Sequence, residues 1–246
     1  MHVKICGITN LPDALLAAQA GADFIGLIRA PSERAVAADV ALEIIDELRD
    51  TPTRPVLLFR DAPLEELAAA CRDCRVAWVQ LHGHESVDYL ARLAAALPHV
   101  RIIKAWELTP SDSGDALIAY VGEAGSTGLR IAAVILDAPK RGAHPGYDHL
   151  AAVARRCDDA WSDGGSERPE LWCAGGLTSE TLAAAVASGT YDGVDVARGV
   201  EQSAGRKDRA AVRRFIEIGK SLGSSPRLFE WPPTRERHKD ERPNRR

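Results

Sequence analysis

Lys4-Ile5-Cys6-Gly7-Ile8-Thr9 puts a thiol at the exit of a short apolar run, one residue before a glycine. A cysteine there can act as base or nucleophile, because a modest fall in its pKa makes thiolate accessible near neutral pH. The same residue type also packs as a small buried hydrophobe, and position by itself leaves both roles open. Asp137 closes a second apolar run, 132–136. A partly desolvated carboxyl can keep its proton to higher pH and serve as general acid, or it can pair with Lys140 or Arg141 and hold a loop. Gly175-Gly176 and Arg198-Gly199 each follow a further apolar run. Such glycines either make tight turns or offer backbone N–H groups to a phosphate. A thiol and a carboxyl flanking one anchored ligand suit acid–base isomerisation of a phosphorylated sugar.

The elements that would position these groups alternate along the chain. Strand-like runs, apolar on both faces, cover 3–6, 23–28, 55–59, 77–81, 101–105, 131–136, 171–174 and 193–196. Strands of that kind belong to a parallel sheet covered on both sides. Between them lie amphipathic Ala/Leu-rich stretches at 13–20, 37–49, 64–72, 87–96, 116–123, 148–156, 179–188 and 207–222. About eight strand–helix units in roughly 220 residues predict a single closed (β/α)8 TIM barrel over 1–222. No G-x-G-x-x-G follows the first strand, which weakens an open dinucleotide-binding sheet. In a barrel, every candidate group falls at the carboxyl ends of strands, where barrel chemistry takes place. Residues 158–169 read as a polar loop at the opposite face. Residues 223–246, rich in proline and charge, read as a loosely packed tail that Phe229 and Trp231 tack onto the barrel.

Composition narrows the class. The 246 residues are 46% hydrophobic and 27% charged, enough for a sizeable core. A net charge of -4 gives no electrostatic footprint for nucleic acid or an anionic membrane. No apolar stretch is long enough to cross a bilayer, and the start has no signal-peptide layout. These features predict a cytoplasmic enzyme. The cysteines number five and are dispersed, against a disulfide framework; Cys71 and Cys74 read as incidental helix-end residues rather than a zinc half-site.

Six segments carry a resemblance. They are VKICGIT from Val3, GADFIGLI from Gly21, VQLHG from Val79, IIKAW from Ile102, CAGGLTSE from Cys173 and GVDVARGVE from Gly193. In order and spacing, from Val3 to about Asp208, the chain resembles the phosphoribosylanthranilate isomerases of tryptophan biosynthesis. The resemblance implies a cofactor-free Amadori rearrangement of N-(5-phosphoribosyl)anthranilate to an aminoketose, with no metal and no cofactor. It implies Cys6 as general base and Asp137 as general acid. Arg34 would bind the anthranilate part, and Gly175, Gly176 and Gly199 the phosphate, with Gln80 and His82 in support near the site. Three segments depart from the family pattern. Residues 141–146 read RGAHPG, Ala197-Arg198 replaces a serine pair, and Glu33-Arg34-Ala35 lacks the proline and tyrosine that usually flank the arginine. Arg198 would then clamp the phosphate or face solvent. The expected partner is a small phosphorylated sugar, and the expected assembly a monomer or homodimer.

Three other readings compete. One is a paralogous isomerase acting on another phosphorylated aminosugar. The second is a sugar-phosphate aldolase forming a Schiff base on Lys104, and the third a non-catalytic barrel that binds a sugar phosphate.

Overall fold

Alternate residues of the apolar strands bury on opposite sides of one curved wall, and that double burial closes the sheet. A computed structural model describes residues 1–138, 146–162, 168–187 and 189–223. The strands are β1 (His2–Cys6), β2 (Phe24–Ile28), β3 (Arg54–Phe59), β4 (Trp78–Leu81), β5 (Arg101–Glu107), β6 (Ile131–Asp137), β7 (Glu170–Ala174) and β8 (Gly193–Val196). All are parallel, in sequential order, and β8 returns to β1 with His2 opposite Gly193. The covering helices are α1 (Leu11–Gln19), α2 (Ala38–Glu47), α3 (Leu64–Cys74), α4 (Val87–Ala96), α5 (Asp115–Ser126), α6 (Gly146–Ser162), α7 (Leu182–Ala187) and α8 (Arg209–Ser221). The predicted TIM barrel is the fold. The proposed tail lies outside the described residues except for Gly223, as do Phe229 and Trp231.

Strand parity sorts the core into two layers. Val3, Ile5, Leu57, Val79, Val134 and Val194 pack outward against the helices. Phe24, Val56, Trp78, Ile103, Ile135 and Trp172 fill the inside. Inside, Phe24 meets Trp78 edge-on at 4.9 Å and Trp172 at 5.0 Å between ring centroids. This aromatic plug closes the amino-terminal end of the barrel and leaves the carboxyl ends open.

Several boundaries differ from expectation, and two of them have a tertiary cause. The segment from Asp158 to Ser162 is the end of α6, not part of a loop. Trp161 is buried there, and Asp158 pairs with Arg168 at 2.8 Å, so tertiary contacts carry the helix past its polar residues. Lys207 does not begin the last helix. It sits in a small antiparallel hairpin, β9 (Glu201–Ser203) and β10 (Arg206–Lys207), while Asp208 caps α8 by accepting from the Ala211 N–H.

Candidate active site

The open end of the barrel holds a cavity of about 740 Å³. Cys6 from β1, His82 after β4, Asp137 from β6, Gly175 and Gly176 after β7, and Arg198 and Gly199 after β8 all line it. Arg34, from the loop after β2, lines it as well. Eight of the nine residues singled out from sequence therefore share one space. Gln80 does not reach it. This residue is fully buried one pleat below His82, with its Nε2 3.2 Å from His82 Nδ1.

Cys6 and Asp137 come from well-separated strands of the ring, β1 and β6, and both are nearly buried, with 5% and 7% exposure. His82 Nε2 stands 3.3 Å from Asp137 Oδ2. Gln80 thus orients the His82 ring, whose Nε2 makes no hydrogen bond among the described residues and faces the Asp137 carboxyl. Burial pushes the Cys6 thiol up, while the nearby Lys4 ammonium opposes that rise.

The glycines do steric work. Gly175 has φ +94°, and a Cβ there would fall 2.4 Å from the Ala138 Cβ. At Gly199 a Cβ would fall 1.8 Å from the Leu177 carbonyl oxygen. Only glycine lets the loops after β7 and β8 approach this closely. The ladder between those strands ends at Cys173–Val194, so beyond it the two backbones no longer pair with each other. A glycine-lined backbone pocket next to β8 suits a phosphate. Arg198 stands exposed on the cavity rim, and 139–145 fall outside the described residues, including most of the altered RGAHPG segment.

Arg34 is fixed before any ligand arrives. Its Nε donates to both Glu201 oxygens at 2.9 and 3.1 Å, and Nη2 donates to Oε2 at 2.7 Å. Gly7 makes room for its stem, because a Cβ there would lie 2.8 Å from Arg34 Cδ. Glu201 also accepts from Lys207 Nζ at 3.0 Å.

Lys104 lies on the other side of the wall. Its neighbours Ile103 and Ala105 face the barrel interior, so Lys104 points outward. There its Nζ donates to Glu85 Oε2 at 3.0 Å, to the Gly83 carbonyl at 2.6 Å and to the Ala105 carbonyl at 3.1 Å. An ammonium so occupied, away from the cavity, is no Schiff-base nucleophile, and the aldolase reading falls with it.

Sequence reasoning passed over five residues: Lys4, Gly26, Arg60, Asp195 and Lys207. Lys4 and Asp195 had a signal, each being a lone charge inside an apolar strand. Gly26 had one too, a glycine in a strand interior, which marks close approach. Arg60, on the cavity wall after β3, and Lys207, in its hairpin, carried no comparable signal.

With this geometry in place, residues 3–218 match the family model described as N-(5'phosphoribosyl)anthranilate (PRA) isomerase. The chain belongs to that family. It is 35% identical over 225 residues to N-(5'-phosphoribosyl)anthranilate isomerase from Pelobacter propionicus, covering 91% of this chain and 98% of the relative. Among solved structures it resembles phosphoribosyl anthranilate isomerase from Thermotoga maritima, with a TM-score of 0.74 and 27% identity over 90% of this chain and all of the other. A phosphoribosyl anthranilate isomerase in complex with reduced 1-(o-carboxyphenylamino)-1-deoxyribulose 5-phosphate gives a TM-score of 0.73 at 26% identity, again over 90% of this chain and 100% of that one. Against these family members, the cavity at the carboxyl ends of the strands is the candidate active site.

Proposed function

We propose that the protein is a phosphoribosylanthranilate isomerase of tryptophan biosynthesis, converting N-(5-phosphoribosyl)anthranilate to 1-(o-carboxyphenylamino)-1-deoxyribulose 5-phosphate. The observation that carries this reading is a single cavity holding Cys6, Asp137 and the glycine turns after β7 and β8, in a chain of that family. The product analogue bound by a family member has the phosphate and aromatic acid such a cavity would have to take.

In this reading the phosphate sits against Gly175, Gly176 and Gly199, with Arg198 closing on it from the rim. Asp137 protonates the furanose ring oxygen as the nitrogen lone pair opens the ring to a Schiff base. The Cys6 thiolate takes the proton from C2. The C–H electron pair becomes the C1–C2 double bond, and the iminium pair returns to nitrogen. The enolamine then tautomerises to the ketone. His82, oriented by Gln80, stands beside the Asp137 carboxyl, and Arg34, braced by Glu201, faces the anthranilate carboxylate. The residues named do this with proton transfer alone. All five cysteines are free thiols, which suits the cytoplasm.

The direct test is a fluorescence assay with freshly made phosphoribosylanthranilate, run beside complementation of a tryptophan auxotroph. Turnover with rescue is expected. Tight binding of the substrate without conversion would favour a binding barrel, and turnover of a different phosphorylated aminosugar in its place would favour a paralogue.

A further inference from the structure

Beneath the cavity floor lies a charge that the mechanism above does not use. Lys4 is fully buried, two residues before Cys6 in β1 and on the same face of the strand. Its Nζ donates to Asp195 Oδ1 at 2.8 Å. A bare ammonium at such depth would be costly, so a retained one needs both a partner and a reason. Asp195 is the partner, and it lines the cavity, whereas Lys4 does not.

The reason is visible at Gly26 on the adjacent strand. A Cβ there would lie 2.7 Å from Cys6 Sγ and 3.1 Å from Lys4 Nζ. Sulfur and ammonium thus share the space that any larger residue would fill. We infer that the Lys4 ammonium, clamped by Asp195, is the counter-ion of the Cys6 thiolate, making Lys4 a positioning residue for proton abstraction. The inference rests on Cys6 being the base.

Every element around the sulfur fits this assignment. From β1, Lys4 supplies positive charge, and from β8, Asp195 supplies the negative charge that holds it. Lys207 of β10 donates through Nζ to the Cys6 carbonyl oxygen at 2.6 Å and is itself tied to Glu201. Arg34, after β2, shares the same Glu201, so that cluster keeps one net positive charge, and Lys207 pulls the thiol down less than Lys4 does. Gly26 of β2 brings no charge. Burial acts on Lys4 by disfavouring its charge, but Asp195 and Cys6 outweigh that and keep it an ammonium. On Cys6, burial pushes the thiol up, Lys4 pulls it back, and Asp195 and Lys207 follow with opposite signs. Lys4 does not touch the ligand space, so it acts through the sulfur.

The test measures the sulfur itself. Alkylation of Cys6 by iodoacetamide is followed against pH in the full-length protein, with the Cys6 peptide quantified by mass spectrometry. Lys4→Met combined with Asp195→Asn removes the charge without stranding a buried carboxylate. Lys4→Gln with Asp195→Asn is a second neutral pair that keeps a hydrogen bond, and the wild type, in which Asp195 holds the ammonium, is the reference. Opposite charges at such range move a pKa by about one unit or more. Relative to the reference, both neutral pairs should therefore shift Cys6 alkylation to higher pH and slow it about tenfold at neutral pH. The rising limb of kcat/KM against pH should move by the same amount. A folded neutral pair with the reference alkylation profile would overturn the assignment. Neutral pairs that show the shift, beside a wild type that never turns over phosphoribosylanthranilate, would instead sink the functional reading and leave Lys4 as the sulfur's counter-ion.

Discussion

The two ends of this barrel are built from the same eight strands and do opposite things. At the amino-terminal end, Phe24, Trp78 and Trp172 interlock and Arg54 and Arg101 lie over the Phe24 and Trp78 rings at 5.6 and 5.5 Å. His2 is ringed by Asp23 and Glu170 at 3.7 and 3.4 Å. At the carboxyl end no ring among the described residues plugs the barrel, Cys6, Asp137 and Ala174 end three of the strands, and about 740 Å³ stays open. Large rings at one end fill space that small residues at the other end vacate. Stability should therefore depend on the plug and chemistry on the cavity, with little exchange between them.

That separation can be broken in order of expected effect. Trp172→Ala removes a fully buried ring from the plug. It should cost about 3–5 kcal/mol in urea unfolding, while kcat per folded molecule stays near wild type. A kcat that collapses with stability would show that the two ends are coupled. Cys6→Ser and Asp137→Asn should do the reverse, lowering kcat about a hundredfold or more with urea midpoints close to wild type. Retained turnover in either would remove that residue from the mechanism.

Gly26→Ala sharpens the comparison, since its Cβ would displace the Cys6 sulfur and the Lys4 ammonium without touching the plug. We expect kcat to fall about tenfold, because small misplacements of reacting groups are costly, with a stability loss of about 1–3 kcal/mol from overpacking, below that of Trp172→Ala. The smallest effect is a pH slope. Burial pulls the His2 ring down, but hydrogen bonds and charge from Asp23 and Glu170 outweigh it and hold the ring at about 9. A group raised in the folded state contributes stability in full below its unfolded value near 6.5 and loses it as pH rises through about 9. Tm measured across that window should decline in wild type and flatten in His2→Gln, with the kinetic pH profile unmoved.

Much of this was legible in the residues. Hydrophobic runs of strand length, alternating with amphipathic helices, specified the barrel because each pattern buries in only one way. The ends of those runs then named Cys6, Asp137 and the paired glycines, since a parallel barrel brings all its strand ends to one rim. Other features lay beyond local pattern. Trp161 draws the end of α6 past a polar stretch, and no propensity reports a tertiary contact. Lys207 looked like the start of a helix until Asp13 accepted its backbone N–H at 2.9 Å and Glu201 its ammonium.

The alternation of strands and helices and the approximate place of the strand ends follow from the chain alone, because burial period and chain direction are properties of neighbours in sequence. Which long side chain meets which partner does not. Lys104 turning away from the ligand space to Glu85, Glu201 claiming Arg34, and Lys4 and the Cys6 sulfur sharing the gap at Gly26 depend on ring closure and strand register. Those fix distances between residues far apart in the chain, and electrostatics is decided by distance.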